Sequence, residues 1–125
     1  MLSKDAQILI VDDMKMIRTS IKKYLGSLGY ENIIEAVDGE DAIKQYAKHR
    51  PAMIFMDVVM PNITGDEALK IIREGDKLTP IVMLSSVAEK GVMESCEKQG
   101  ILGYILKPLT MQTGSKVLTE ILQKA

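Results

Sequence analysis

The sequence predicts a doubly wound α/β fold, a five-stranded parallel sheet alternating with five helices as (βα)5. Short apolar runs alternate with longer stretches in which apolar residues recur at helical spacing. That alternation implies strand–helix–strand units whose helices cover both faces of a parallel sheet. Acidic, hydroxyl and lysine side chains stand directly after the apolar runs, at the edge where such a sheet binds its ligand.

Ile8-Leu9-Ile10-Val11 reads as a fully buried first strand. Met14, Ile17, Ile21, Tyr24, Leu25 and Leu28 stripe the first helix, and Gly29 stands where a helix stop belongs. Asn32 to Ala36 is a second strand, placed near the sheet edge because Glu35 interrupts it. Ala42, Ile43, Tyr46 and Ala47 stripe a second helix that must end before Pro51. Ala52 to Met56 is the third strand, ending on Asp57, and Thr64-Gly65-Asp66-Glu67 has the capping-box pattern opening a helix with Ala68, Leu69 and Ile72. Pro80 to Leu84 is strand four, and Ser86 to Glu89 is a second capping-box pattern. Gly103 to Leu106 is strand five. Val117, Leu118, Ile121 and Leu122 stripe the last helix, whose start Gly114 weakens by about 1 kcal/mol relative to alanine.

Composition narrows the function. The 125 residues fit one compact domain, and a 46% hydrophobic, 26% charged chain is of globular type. Sixteen basic residues against 17 acidic give a net charge of -1, with no electrostatic footprint for nucleic acid or an anionic membrane. The lone Cys96 rules out an internal disulfide, the polar N-terminus lacks the form of a signal peptide, and no apolar run approaches a membrane span. The expected location is the cytoplasm.

The residues after the strands carry chemistry. Asp12-Asp13 follow strand one, Asp57 strand three, Ser85 strand four and Lys107-Pro108 strand five. Carboxylates about 4 Å apart repel by roughly 4 kcal/mol per pair at an effective dielectric of 20. Such a cluster needs a divalent cation or raised pKa values, and hard oxygen ligands suit Mg²⁺. Each residue alone has a plainer reading. Asp13 fits a helix N-cap, Ser85 a turn residue, Lys107 a solvated side chain. Their meeting at one edge of one sheet is what caps and turns do not require. His49 and Cys96 lie away from that edge, and Cys96 reads as packing.

Asp12-Asp13, the run Met56-Asp57-Val58-Val59-Met60-Pro61 with Gly65, Ser85, and Gly103-Tyr104-Ile105-Leu106-Lys107-Pro108 together resemble the receiver domain of bacterial two-component response regulators. The resemblance spans essentially the whole chain, and its length is similar to that of the stand-alone chemotaxis-type regulators. It implies a flavodoxin-like strand order, 2-1-3-4-5, and a single receiver domain over residues 1–125. Asp57 is then the phosphoacceptor, charged by a histidine kinase, a phosphotransfer protein or a small phosphodonor. Asp12, Asp13, Asp57 and the backbone carbonyl of Val59 hold Mg²⁺, and Lys107 pairs with the phosphoryl oxygens. Ser85 and Tyr104 act as the switch, carrying the change to a face of helix four, strand five and helix five that binds an effector or a second copy. Leu102 and Ile101 are expected beside Tyr104 on that face. The implied activity is signalling, with self-phosphotransfer and autodephosphorylation only.

The chain departs from the family pattern at several places. Val59 and Val87 stand where many receivers carry polar side chains, Ile101 where alanine is usual, and Leu109 where phenylalanine is common; Ser85 replaces threonine. Rival readings fare worse. A haloacid-dehalogenase-type phosphohydrolase needs a second acid where Val59 stands. A flavodoxin-like electron carrier needs a Ser/Thr/Gly loop where Asp12-Asp13 stand, and a purely binding receiver has no use for a full set of pocket residues.

Overall fold

A computed structural model describes residues 2–86, 90–107 and 114–125. The elements run β1 (Ile8–Val11), α1 (Lys15–Ser27), β2 (Ile33–Ala36), α2 (Gly39–His49), β3 (Met53–Asp57), α3 (Gly65–Gly75), β4 (Ile81–Ser85), α4 (Lys90–Gln99), β5 (Gly103–Leu106) and α5 (Gly114–Lys124). All five strands are parallel, in the order β2-β1-β3-β4-β5. β1, β3 and β4 are buried along their whole length, which is why they read as unbroken apolar runs. β2 lies at the edge and exposes Glu35.

Strand alternation divides the core in two. Leu9, Val11, Ile54, Met56, Ile81 and Met83 pack against α2, α3 and α4, where Cys96 is fully buried. Ile8, Ile10, Phe55, Val82, Leu84 and Ile105 pack against α1 and α5.

Several local expectations change. β3 and β4 each run one residue further than their apolar runs, so Asp57 and Ser85 are held by the sheet itself rather than by loops. The N-cap of α1 is Met14, without a side-chain cap bond, so Asp13 is not a cap. Thr64 stands at the N-cap of α3, but its hydroxyl donates to the Glu67 carboxylate (2.9 Å) and no side chain caps the backbone. The unanticipated cap is Asp38, whose carboxylate accepts from the Asp41 amide at 2.7 Å. Ala47 is exposed, because the next residue round the helix from buried Tyr46 turns toward solvent. Gly114 serves contact rather than looseness: a Cβ there would stand 2.7 Å from the Tyr24 ring, so glycine lets α5 approach α1. The Ser86–Glu89 capping pattern lies partly, and Val87, Pro108 and Leu109 wholly, outside the described residues.

Candidate functional site

Strand register assembles the site. The order reverses between β1 and β3, and the crevice at their carboxyl ends is where this architecture receives ligands. Val11 is paired with Met56, so the next residues, Asp12 and Asp57, emerge side by side. Asp57 is paired with Leu84, which brings Ser85 one step beyond it. Ser85 is paired with Leu106, and its carbonyl accepts from the Lys107 amide at 2.7 Å. The loop after β3 is drawn tight by the Gly65 amide donating to the Val58 carbonyl (2.7 Å). A Cβ on Gly65 would fall 1.9 Å from the Asp57 carbonyl oxygen, so only glycine permits this approach.

Asp12, Asp13 and Asp57 each offer a carboxylate oxygen, all within 4.8 Å of one another. Asp12 and Asp57 are buried and Asp13 is exposed, so the cluster opens to solvent on one side. The Lys107 ammonium lies 2.9 Å from Asp12 Oδ2 and 3.2 Å from Asp57 Oδ1. The other Asp12 oxygen accepts from the Met14 amide at 2.9 Å. Burial raises the Asp57 pKa above the ordinary carboxylate value, and the Asp12 charge raises it further. The Lys107 ammonium and the Val59 amide oppose this without cancelling it. Burial acts to lower the Lys107 pKa, but its bond to Asp12 and the pull of both carboxylates win, leaving it raised. Three carboxylates facing one ammonium leave negative charge to spare. The all-oxygen donor set fits a small hard divalent cation.

The structure brings together Asp12, Asp13, Asp57, Ser85 and Lys107 as the sequence anticipated. Val59 has its side chain two-thirds exposed at the mouth, while Met60 is core. Tyr104 packs against the α2–α3–α4 core, and its buried hydroxyl has no hydrogen-bond partner among the described residues. The expected grouping of Leu102 and Ile101 beside Tyr104 is corrected. Ile101 packs on the same core as Tyr104, but Leu102 packs on the other face of the sheet. Leu106, two residues after Tyr104 and so on its side of β5, is the exposed apolar residue there (52%). Arg18 went unnoticed in the sequence, where it reads as a surface charge on a helix. It donates to the Asp12 carbonyl at 2.6 Å and to Glu35 at 3.0 Å.

Comparison with known proteins agrees with this geometry. Residues 8–119 match the family model described as the response regulator receiver domain. The chain is 34% identical to the chemotaxis protein CheY of Listeria monocytogenes, covering 95% of this chain and 97% of the relative. It is 35% identical to that of Bacillus subtilis, covering 82% and 85%. Its fold superposes on the chemotaxis protein CheY4 of Vibrio cholerae with a TM-score of 0.82 at 34% identity, covering 94% and 98%. It also superposes on one chain of a CheX-CheY-BeF3-Mg complex from Borrelia burgdorferi, with a TM-score of 0.85 at 30% identity, covering 94% of this chain and 87% of that one.

Proposed function

Because this chain belongs to the response regulator receiver domain family, we propose that it is a phosphorylation-activated signalling switch of chemotaxis type, with Asp57 as its phosphoacceptor. The observation that carries the reading is the meeting of three carboxylates with the Lys107 ammonium at the carboxyl edge of the sheet. The Borrelia relative, named as a complex with BeF3 and Mg, supports the same chemistry here.

An Asp57 carboxylate oxygen attacks phosphorus, and the bond from phosphorus to the donor's imidazole nitrogen breaks, that nitrogen leaving with the electron pair. Lys107 gives its ammonium to a phosphoryl oxygen, and the Ser85 hydroxyl donates to another. Asp12, Asp13, Asp57 and the Val59 carbonyl would hold Mg²⁺, which would supply positive charge to offset the carboxylates and the phosphoryl oxygens. The protein positions and neutralises, which is most of what phosphoryl transfer asks of it. Water attack on the acyl phosphate later returns Asp57 and inorganic phosphate, so the only reactions are self-phosphotransfer and autodephosphorylation.

On the input side the partner is a histidine kinase or a phosphotransfer protein. On the output side it is an effector or a second copy, met by the α4–β5–α5 face. Residues 1–125 act as one receiver unit, with the cytoplasm as the setting. Among the described residues no helix is long and apolar enough to cross a membrane.

The test is incubation with a small phosphodonor and Mg²⁺. The expected product is an acid-stable, base-labile acyl phosphate, lost in Asp57→Asn and suppressed by chelation. Undiminished labelling of Asp57→Asn overturns the assignment.

A further inference from the structure

The geometry points to Arg18 as a positioning residue that holds the Asp12–Asp13 peptide in the conformation a divalent cation requires, braced from the edge strand by Glu35. This rests on the assignment of Asp12 and Asp13 to the metal.

Arg18 lies in the first turns of α1, with its side chain only 11% exposed despite its charge. Its Nη1 donates to the Asp12 carbonyl oxygen at 2.6 Å, and its Nε donates to Glu35 Oε1 at 3.0 Å. Glu35 belongs to β2 and is paired in register with Ile10 of β1. The Asp12 amide already donates to the Ala36 carbonyl at 3.2 Å. The segment leaving β1 is therefore fastened to β2 twice, once directly and once through the guanidinium.

The fastened carbonyl matters because of what it joins. The Asp12 carbonyl and the Asp13 amide share one planar peptide unit, so a bond to that oxygen orients the chain from which both carboxylates spring. Asp12 is sheltered by the sheet, whereas Asp13 is exposed and has no cap bond to steady it. Arginine suits the task where lysine does not. Its planar fork sends two donors in fixed directions, one to a carbonyl and one to a carboxylate. Glu35, exposed on the edge strand, braces the guanidinium from that side and also lies 3.8 Å from the Lys22 ammonium.

Charge and position pull in opposite directions, which makes the idea testable. As a positive charge near three carboxylates, Arg18 opposes a cation, so deleting it should tighten Mg²⁺ binding. As a positioning residue it favours the cation, so deleting it should weaken binding. Mg²⁺ alone is titrated calorimetrically into the full chain and into Arg18→Ala, Arg18→Lys and Glu35→Gln, with metal-free melts to verify folding. Arg18→Lys keeps the charge and loses the fork, and it guards against a misfolded alanine variant.

Arg18→Ala and Arg18→Lys should both weaken Mg²⁺ by roughly tenfold, the usual scale for partners that orient metal ligands. Glu35→Gln should weaken it by less. Saturating Mg²⁺ should restore acyl-phosphate formation in Arg18→Lys, because Asp57 and Lys107 are untouched. Mg²⁺ affinity unchanged in Arg18→Lys, or tightened in Arg18→Ala, overturns the proposal. A wild-type chain that neither binds Mg²⁺ nor labels on Asp57 overturns the receiver chemistry itself, a result the variants cannot imitate.

Discussion

At the residue scale the site is a set of charges held at a cost. Asp57 has a raised pKa because it is buried and because Asp12 faces it. An acid whose folded pKa is raised loses stability as pH climbs from its unfolded value through its folded one. Ionised Asp57 therefore destabilises the metal-free protein at neutral pH, and Asp57→Asn should raise the melting midpoint by a few degrees, on the order of 1 kcal/mol. The gain should disappear at pH low enough to protonate wild-type Asp57, and it should shrink when Mg²⁺ stabilises the wild type by mass action. Thermal melts across pH, with and without the metal, measure all three. An Asp57→Asn protein no more stable at neutral pH means that Lys107 already offsets the charge. Val59 gives the second prediction at this scale. Its side chain is exposed at the mouth and cannot orient a water by hydrogen bonds. Val59→Asn should accelerate loss of the acyl phosphate several-fold, an effect of about 1 kcal/mol on the barrier. Decay of labelled protein reads this directly, and unchanged decay counts against a role for Val59.

At the element scale, the end of the sheet opposite the site is welded. Arg73 is buried, and its guanidinium donates to the carbonyls of Gly100, Asp76 and Thr79 at 3.0, 2.9 and 2.7 Å. These bonds fasten the ends of α3 and α4 to the segment entering β4. Asp76 accepts from the Tyr46 and Thr79 hydroxyls and from the amides of Leu78 and Thr79. The Thr79 hydroxyl, then the Tyr46 hydroxyl and the two amides, hold its carboxyl well below the usual carboxylate range against the opposing effect of burial. A depressed pKa contributes stability above the unfolded value that is lost as pH falls through the folded one. Asp76→Asn should thus cost on the order of 1–2 kcal/mol at pH 7. The gap from wild type should narrow as pH drops below about 3.9. Denaturant melts at pH 7 and at pH 3 settle this, and a gap that stays constant contradicts it.

At the scale of the whole molecule, phosphorylation of Asp57, as proposed, would have to bias a two-state protein. Moving from 1:99 to 99:1 requires about 5.5 kcal/mol of differential stabilisation. Charge-assisted bonds contribute roughly 1.5–3 kcal/mol each, so on the proposed chemistry two or three new contacts from Ser85, Lys107 and the metal would meet that demand. β4 and β5 lead from the site to Tyr104, whose buried hydroxyl is unpaired among the described residues. The Arg73 and Asp76 bonds lie at the far end of the sheet, so a response to Asp57 is expected at the Ser85 end. Phosphorylation should therefore change amide hydrogen exchange in β5 and α4 more than in α2. Ser85→Ala should reduce that change while leaving Asp57 labelled. Equal changes on both sides of the sheet place the output elsewhere.

The sequence by itself determined the alternation of strands and helices, the apolar core and the chemical residues at the strand ends. Those features are local. Two-residue and 3.6-residue periods, turn residues and short motifs lie within a few positions of one another. It also anticipated Cys96 as packing, and burial there pushes the thiol up to about 11. That Lys107 would join the carboxylates was legible from the strand ends; the tertiary structure alone decided the atom-to-atom partners and the contacts that no strand-end position signals. Lys107 reaches Asp12 across 95 positions, and Arg73 reaches Gly100 across 27. Arg18 bridges Asp12 and Glu35 across the sheet edge, and Gly114 makes room for Tyr24. A surface arginine and one that orients a peptide are the same letter in a helix pattern. They separate only when strand register fixes which carbonyl and which carboxylate stand within about 3 Å of the guanidinium.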